Sequence, residues 1–224
     1  MIENNKFNKI LTVLLIIIFV AIVVVLGFFG FDFFQKVYIN ANANEAIEEF
    51  DNKILELQQS NNNENIVENT VQNENNTNNN NTSSGSSKSA SMQYKGYDVI
   101  GKIQIPKTKL SYPVLSCATV SSMKVSVGVV YGPGLNEVGN TVLMGHNYRN
   151  GALFSNNKKL ANGDSIFITD MTGRKIEYVI YNMYTTSSTD FDYAIRTTGG
   201  KREISLASCT DDGKSRLIIW AVEK

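Results

Sequence analysis

The sequence predicts a mostly β domain of about eight short strands, carried behind one apolar helix and a polar linker. Three observations predict it. From residue 94 onward, short alternating or apolar runs recur at 99–105, 112–115, 125–131, 141–144, 165–169, 175–184, 203–207 and 217–222. Turn-forming clusters separate them, among them Gly132-Pro133-Gly134, Asn162-Gly163-Asp164, Met171-Thr172-Gly173 and Gly199-Gly200. Upstream lie an uninterrupted apolar stretch and a segment dominated by asparagine, neither of which has strand periodicity. About 130 residues suffice for one core, and so many short strands in one small domain suggest a closed barrel or a sandwich.

In chain order, residues 1–9 carry Lys6 and Lys9. Residues 10–31 contain Thr12 as their only polar side chain and no charge. Roughly 20 apolar residues cross a bilayer core, so this stretch reads as a transmembrane anchor. A cleaved signal peptide has a shorter apolar core, and the Ala41-Asn42-Ala43 pattern lies well past the run. The residues that follow are mostly acidic (Asp32, Glu45, Glu48, Glu49, Asp51), which predicts a cytoplasmic N-terminus and an extracellular remainder.

Residues 32–59 form a juxtamembrane segment. Ile47, Phe50, Ile54 and Leu57 recur there at helical spacing, as a continuation of the anchor or a brief self-associating helix. Residues 60–93 include twelve Asn between 61 and 81. Such a composition offers too little apolar area to offset ordering entropy, and predicts a disordered tether. Residues 94–224 are the folded domain, with one helix-like interruption at 152–161.

The formal charge of zero hides an asymmetry. Residues 94–224 hold 16 Lys and Arg against 11 Asp and Glu, a net of +5, while residues 1–93 hold 5 against 10. The basic side chains are not clustered, which argues against nucleic-acid binding. Two cysteines, Cys117 and Cys209, make no disulfide framework. With one histidine and no paired Cys/His cluster, neither a metal site nor a cofactor is expected.

His146 is the only histidine, and it follows the apolar run Thr141-Val142-Leu143-Met144 in Gly145-His146-Asn147. Cys209 closes Ser205-Leu206-Ala207-Ser208-Cys209, and Arg216 heads the next run. A thiol needs a base or an ion-pair partner to act as a nucleophile, and imidazole is the usual one. An always-charged guanidinium nearby would stabilise a thiolate or an oxyanion. Taken singly, the three residues also fit a buried thiol, a structural histidine and a surface arginine. Cys117 has no base near it in sequence and reads as structural, and Asp211 and Asp212 either orient His146 or, the favoured reading, solvate their loop.

These residues resemble the bacterial sortases, membrane-anchored cysteine transpeptidases with an eight-stranded β-barrel. Ser205-Leu206-Ala207-Ser208-Cys209 is similar to the family's Thr-Leu-x-Thr-Cys, with serine at both threonine positions. Arg216 before Leu217-Ile218-Ile219-Trp220 and the histidine motif Val142-Leu143-Met144-Gly145-His146 fit the same pattern. Residues 154–164 resemble the Phe-x-x-Leu…Gly-Asp segment, and Ile103-Gln104-Ile105-Pro106 with Tyr112-Pro113-Val114 resembles the first strand pair. Gly151-Ala152-Leu153-Phe154 and Phe191-Asp192-Tyr193 look like class B, whereas the short domain looks like class D.

The resemblance implies a sortase-type barrel and a catalytic set of Cys209, His146 and Arg216. Ser208, Leu206 and Asn147 would touch substrate. It further implies attack on an LPxTG-like signal near the C-terminus of a secreted protein, followed by transfer to an amine of peptidoglycan or a lipid-linked precursor. A hydrolytic peptidase of the same fold and a non-enzymatic tethered binding domain are the alternatives.

Overall fold

The computed structural model of the chain describes residues 2–68 and 91–224, with side chains described for 7–60 and 91–224. Two compact units are present, Met1–Asn40 and Ala41–Lys224.

Helix α1 (Ile2–Glu68) is continuous. In the first unit its apolar side chains, Ile16, Phe19, Val24 and Phe29 among them, stand exposed. A helix of this length and composition can cross a membrane. The helix runs past residue 60, where the polar linker was expected to begin. No glycine or proline falls between Phe31 and Ser84 to stop it. The rest of the expected tether, residues 69–90, lies outside the described residues.

In the second unit, Ala46, Phe50 and Ile54 pack against Met92, Tyr94, Val99 and Leu115, with Leu57, Tyr97 and Met171 at the margin. The helical stripe seen in the sequence continues the apolar helix and packs on the sheet. Ala43 and Ala46 fill the contact where Ile47 was expected. Polar bonds flank it. Lys102 ion-pairs with Asp51 and lies 5.7 Å from the centre of the Phe50 ring. Lys95 Nζ donates to Asn42 Oδ1 at 2.7 Å. Folded structure therefore includes helix residues well before residue 94.

The barrel comprises eight strands: β2 (Tyr97–Ile105), β3 (Leu110–Leu115), β4 (Val127–Tyr131), β5 (Gly139–Met144), β6 (Ser165–Asp170), β7 (Lys175–Ser187), β8 (Arg202–Cys209) and β9 (Ser215–Glu223). Their order is β2-β3-β4-β5-β8-β9-β7-β6, and β6 pairs back to β2 to close the sheet. All eight expected runs became strands. A ninth, β1 (Met92–Tyr94), forms a hairpin on β2 in which Tyr94 pairs with Tyr97. Its two-residue turn, Lys95 at φ 52° and Gly96 at φ 83°, has the twist that suits tight hairpins. The helix-like interruption is a 3-10 helix, Phe154–Lys159.

Ile103, Leu143, Ile166, Ile168, Ile180, Ile204, Leu206 and Ile219 are almost wholly buried. Closure removes the free edges that a sheet this small would otherwise expose. Outside the barrel, the β7–β8 connection is pinned by Arg196. Its guanidinium lies 4.4 Å from the Trp220 ring, ion-pairs with Glu203, and donates to Tyr181 Oη at 2.6 Å and Asn140 Oδ1 at 3.1 Å. Burial and the bond to Glu203 push the Tyr181 phenol up to about 12.

Arg196→Ala would leave Glu203 buried without its ion-pair partner, with the Tyr181 hydroxyl still donating to it, at a cost of about 3–5 kcal/mol measurable by urea unfolding. Phe50→Ala, measured the same way on the full chain in detergent, should cost about 3–5 kcal/mol as a core truncation. A loss below 1 kcal/mol would show that α1 is not part of the cooperative unit.

Candidate active site

Strands β5 and β8 are parallel neighbours whose register runs from Gly139 opposite Arg202 to Met144 opposite Ala207. The ladder ends with the Gly145 N–H donating to the Ala207 carbonyl at 3.2 Å. Two residues beyond the last pair, one chain reaches His146 and the other Cys209. Adjacent strands lie about 4.8 Å apart, so both side chains emerge at the same rim of the barrel. On the far side of β8, the antiparallel register places Arg216 directly opposite Cys209. Cross-strand partners share a face, which brings the thiol and the guanidinium together. The structure thus gathers all three residues singled out in the sequence.

Gly145 permits this geometry. A Cβ there would meet Val127 Cγ1 at 2.8 Å and Phe154 Cδ2 at 3.0 Å. The loop after His146 is strained, with Arg149 at φ 61° and the buried Leu153 at φ 49°. The Leu153 N–H donates to Tyr112 Oη at 3.0 Å, and Phe154 N–H donates to the His146 carbonyl at 3.1 Å, which fixes both ends of the loop.

Cys209 is exposed and free, as is Cys117, so no disulfide competes for the thiol. Arg216 is half-buried. Its Nε donates to the Ser188 carbonyl at 3.1 Å, an Nη donates to Met144 Sδ at 3.6 Å, and the guanidinium lies 5.6 Å from the Phe191 ring. It therefore joins the rim of the barrel to the β7–β8 connection. These contacts leave other N–H donors of its five available.

Half-buried His146 has its pKa lowered, first by burial and then by the Lys124 charge. Tyr148 lies beside it with ring centres 5.2 Å apart, and Tyr148 Oη donates to the Lys124 carbonyl at 3.3 Å. Nothing in the sequence near His146 signalled Lys124, which is 22 residues away and arrives through the turn before β4.

A hollow of about 160 Å³ opens beside the thiol, lined by Asn147, Phe154, Lys158, Ser208, Cys209 and Leu217. Ligand pockets usually span about 300–1,000 Å³, so this one admits a side chain and not a whole peptide. A larger hollow of about 680 Å³, with Tyr131, Pro133, Val138, Asn140, Ile195 and Arg196 in its wall, lies at the opposite end of β5. It lies roughly 20 Å along the strands from the thiol. The smaller hollow is the one beside reactive groups.

Of the three expected substrate contacts, Ser208 lines the small hollow from a buried position. Leu206 is fully buried, opposite Ile219 in the β8–β9 ladder, and cannot meet a peptide at the surface. Its place in the motif is that of a core residue. Asn147 spends both amide N–H groups on protein: Nδ2 donates to the Cys209 carbonyl at 3.0 Å and to Asp211 Oδ1 at 2.9 Å. Asp211, expected either to orient His146 or to solvate its loop, ion-pairs with Lys158 and has its pKa lowered by that bond and by Asn147. Among the described residues, no group of three or more His, Cys, Asp or Glu is placed to hold a metal ion.

The sortase domain family matches residues 103–224, more than half of the chain and all of the barrel but the first part of β2. The chain belongs to the sortase family. Sortase A of Bacillus anthracis is 31% identical over 134 residues, 58% of this chain and 61% of that protein. The chain thus spans about three-fifths of that relative's length. Among solved structures, Clostridium perfringens Sortase D5 transpeptidase is 29% identical with a TM-score of 0.52, over 57% of this chain and 79% of that one. Sortase C1 of Streptococcus agalactiae, in complex with MTSET, is 23% identical at a TM-score of 0.52, over 56% and 69%. Sortase A of Corynebacterium diphtheriae is 24% identical at 0.52, over 57% and 61%. The last two show the fold alone. In this sortase the motif residues fall on the barrel rim described above.

The single histidine makes its titration directly readable by NMR. Lys124→Gln should move the His146 titration to higher pH, and so should raising the salt, which screens exposed charge. An unchanged titration would show that Lys124 does not act on the ring. Because the folded pKa lies below the unfolded value of about 6.5, the unfolded chain takes up the proton first. His146 then contributes stability above about pH 6.5, which is lost as pH falls toward the folded pKa.

Proposed function

We propose that this sortase is a membrane-anchored cysteine transpeptidase that cleaves an LPxTG-like sorting signal and transfers the protein, through the acyl carbon at the cut, to an amine of the cell wall. The observation that carries the reading is the meeting of Cys209, His146 and Arg216 at one rim, with the thiol exposed and in register with the guanidinium.

In the proposed sequence of steps, Cys209 gives its thiol proton to His146, its Sγ attacks the scissile carbonyl, and Arg216 steadies the tetrahedral oxyanion with a free N–H donor. His146 gives a proton to the leaving amine as the tetrahedral intermediate collapses to a thioacyl-enzyme. An incoming amine then attacks the thioester carbonyl, loses its proton to His146 and releases Cys209 as the new amide bond forms. The peptide lies across the rim, with one side chain entering the hollow lined by Ser208 and Phe154.

Residues 10–31 serve as the anchor, with the N-terminus cytoplasmic and the barrel extracellular; the charge bias supports this orientation. The substrates are secreted proteins with a C-terminal sorting signal, and the acceptor is a peptidoglycan or lipid-linked precursor amine. The 29% match to a Sortase D5 and the short domain support the class D-like reading, and the segments at 151–154 and 191–193 support the class B-like one.

Incubating the detergent-solubilised chain with LPxTG-type peptides and an amine acceptor, followed by mass spectrometry, tests this. A thioacyl adduct on Cys209, with ligated product that Cys209→Ala abolishes, is the expected result. Cleaved peptide with no ligated product would indicate a hydrolase. No reaction with any sorting peptide, together with Cys209 alkylation at the rate of a free thiol, would overturn the enzyme reading.

A further inference from the structure

We infer that Asn147, with Asp211 and Lys158 behind it, is a positioning residue that clasps the His146 loop to the Cys209 turn. This rests on the proposed assignment of Cys209 and His146 as the reacting pair.

The backbone ladder that aligns β5 with β8 stops at Gly145 and Ala207. His146 lies beyond it on the loop after β5, and Cys209, the last residue of β8, is paired with Arg216 of β9 but has no ladder bond to the His146 side. Asn147 supplies the missing join. Its Nδ2 carries two N–H groups, one donated to the Cys209 carbonyl at 3.0 Å and the other to Asp211 Oδ1 at 2.9 Å. Its Oδ1 accepts the Arg149 N–H at 3.0 Å, and its backbone forms a β-bridge to Leu153. Asp211 in turn ion-pairs with Lys158, on the 3-10 helix Phe154–Lys159 that ends the His146 loop. The chain of contacts thus runs from the residue after His146, through the nucleophile's own carbonyl and the turn after it, back to the far end of the same loop.

The amide is chemically required at this position. A carboxylate at 147 has no N–H to offer and would face both the Cys209 carbonyl oxygen and the Asp211 carboxylate. Asn147→Asp therefore changes one atom and reverses both contacts, without removing volume. Proton transfer and nucleophilic attack are sensitive to placement at the scale of 1 Å, where misplacement costs about 10²-fold in rate. A substrate-binding asparagine would instead act on KM.

The test compares wild type with Asn147→Ala, Asn147→Asp, Asp211→Ala and the double Asn147→Ala/Asp211→Ala variant, all in the full chain. Three readouts apply: kcat and KM for peptide ligation, the pH dependence of Cys209 alkylation by iodoacetamide, and thermal unfolding. Asn147→Ala and Asn147→Asp should lower kcat about 10–100-fold with KM within about threefold, and unfold within a few degrees of wild type. Asp211→Ala should lose less, and the double variant no more than Asn147→Ala alone, as expected of residues acting through one contact. The alkylation profile should shift in both Asn147 variants.

Unchanged kcat and an unchanged alkylation profile would overturn the clasp, as would a rise in KM at constant kcat. A rate loss that merely tracks lost folded protein would overturn it too. Failure of the ligation reading is separable: wild type then makes no ligated product, while the alkylation profiles of the Asn147 variants still report whether the clasp couples imidazole and thiol.

Discussion

The site depends on one pairing, the parallel ladder between β5 and β8. Parallel neighbours cannot be joined by a tight turn, so the chain from Met144 to Arg202 must leave the sheet edge, build β6 and β7, and return. That excursion carries a loop-closure cost, and the ladder offsets it by burying Val142, Leu143, Ile204, Leu206 and Ala207. The return brings residues 146 and 209 to the same level. Because β9 then folds back on β8, Arg216 joins them through an antiparallel register with no further device. Three residues distant in sequence become neighbours because apolar strands had to be covered on both faces.

The strands were legible in the sequence because each is a short run of β-branched or aromatic residues between turn formers, and all eight appeared where expected. His146, Cys209 and Arg216 were legible because each sits at an apolar-to-polar boundary, which in a barrel is a strand end. Leu206 is a core residue rather than a substrate contact, since the same motif carries reactive and core residues alternately and a one-residue step changes the face. Asn147 was assigned to substrate, although its partners are the Cys209 carbonyl and Asp211, contacts set by tertiary closure and invisible to local pattern. Lys124 and the Arg196–Glu203 pair escaped notice for the same reason.

The connection ahead of the barrel also differs from what composition alone suggested. An asparagine-rich segment between an apolar helix and a folded domain reads as the tether between them. Here the helix residues before that segment, Ala46, Phe50 and Ile54, already pack against β1, β2 and β3. Both flanks of the asparagine-rich segment therefore belong to the same compact unit.

The electrostatics of the rim divide the labour between the two basic residues. Burial and Lys124 favour the neutral form of His146, so the imidazole is not the lasting positive charge beside the thiol. Arg216 is, since a guanidinium does not lose its proton in this range. On the proposed reading, the ring moves protons and the arginine supplies charge. The two demands conflict in one group: a base held permanently protonated cannot accept a proton from an incoming amine. Placing the permanent charge on β9 and the titrating ring on the loop after β5 resolves that conflict. The contacts of Arg216 to Ser188 and Phe191 then acquire a purpose beyond packing. They hold the charged group against the β7–β8 connection, so that the wall of the site and its fixed charge are positioned together.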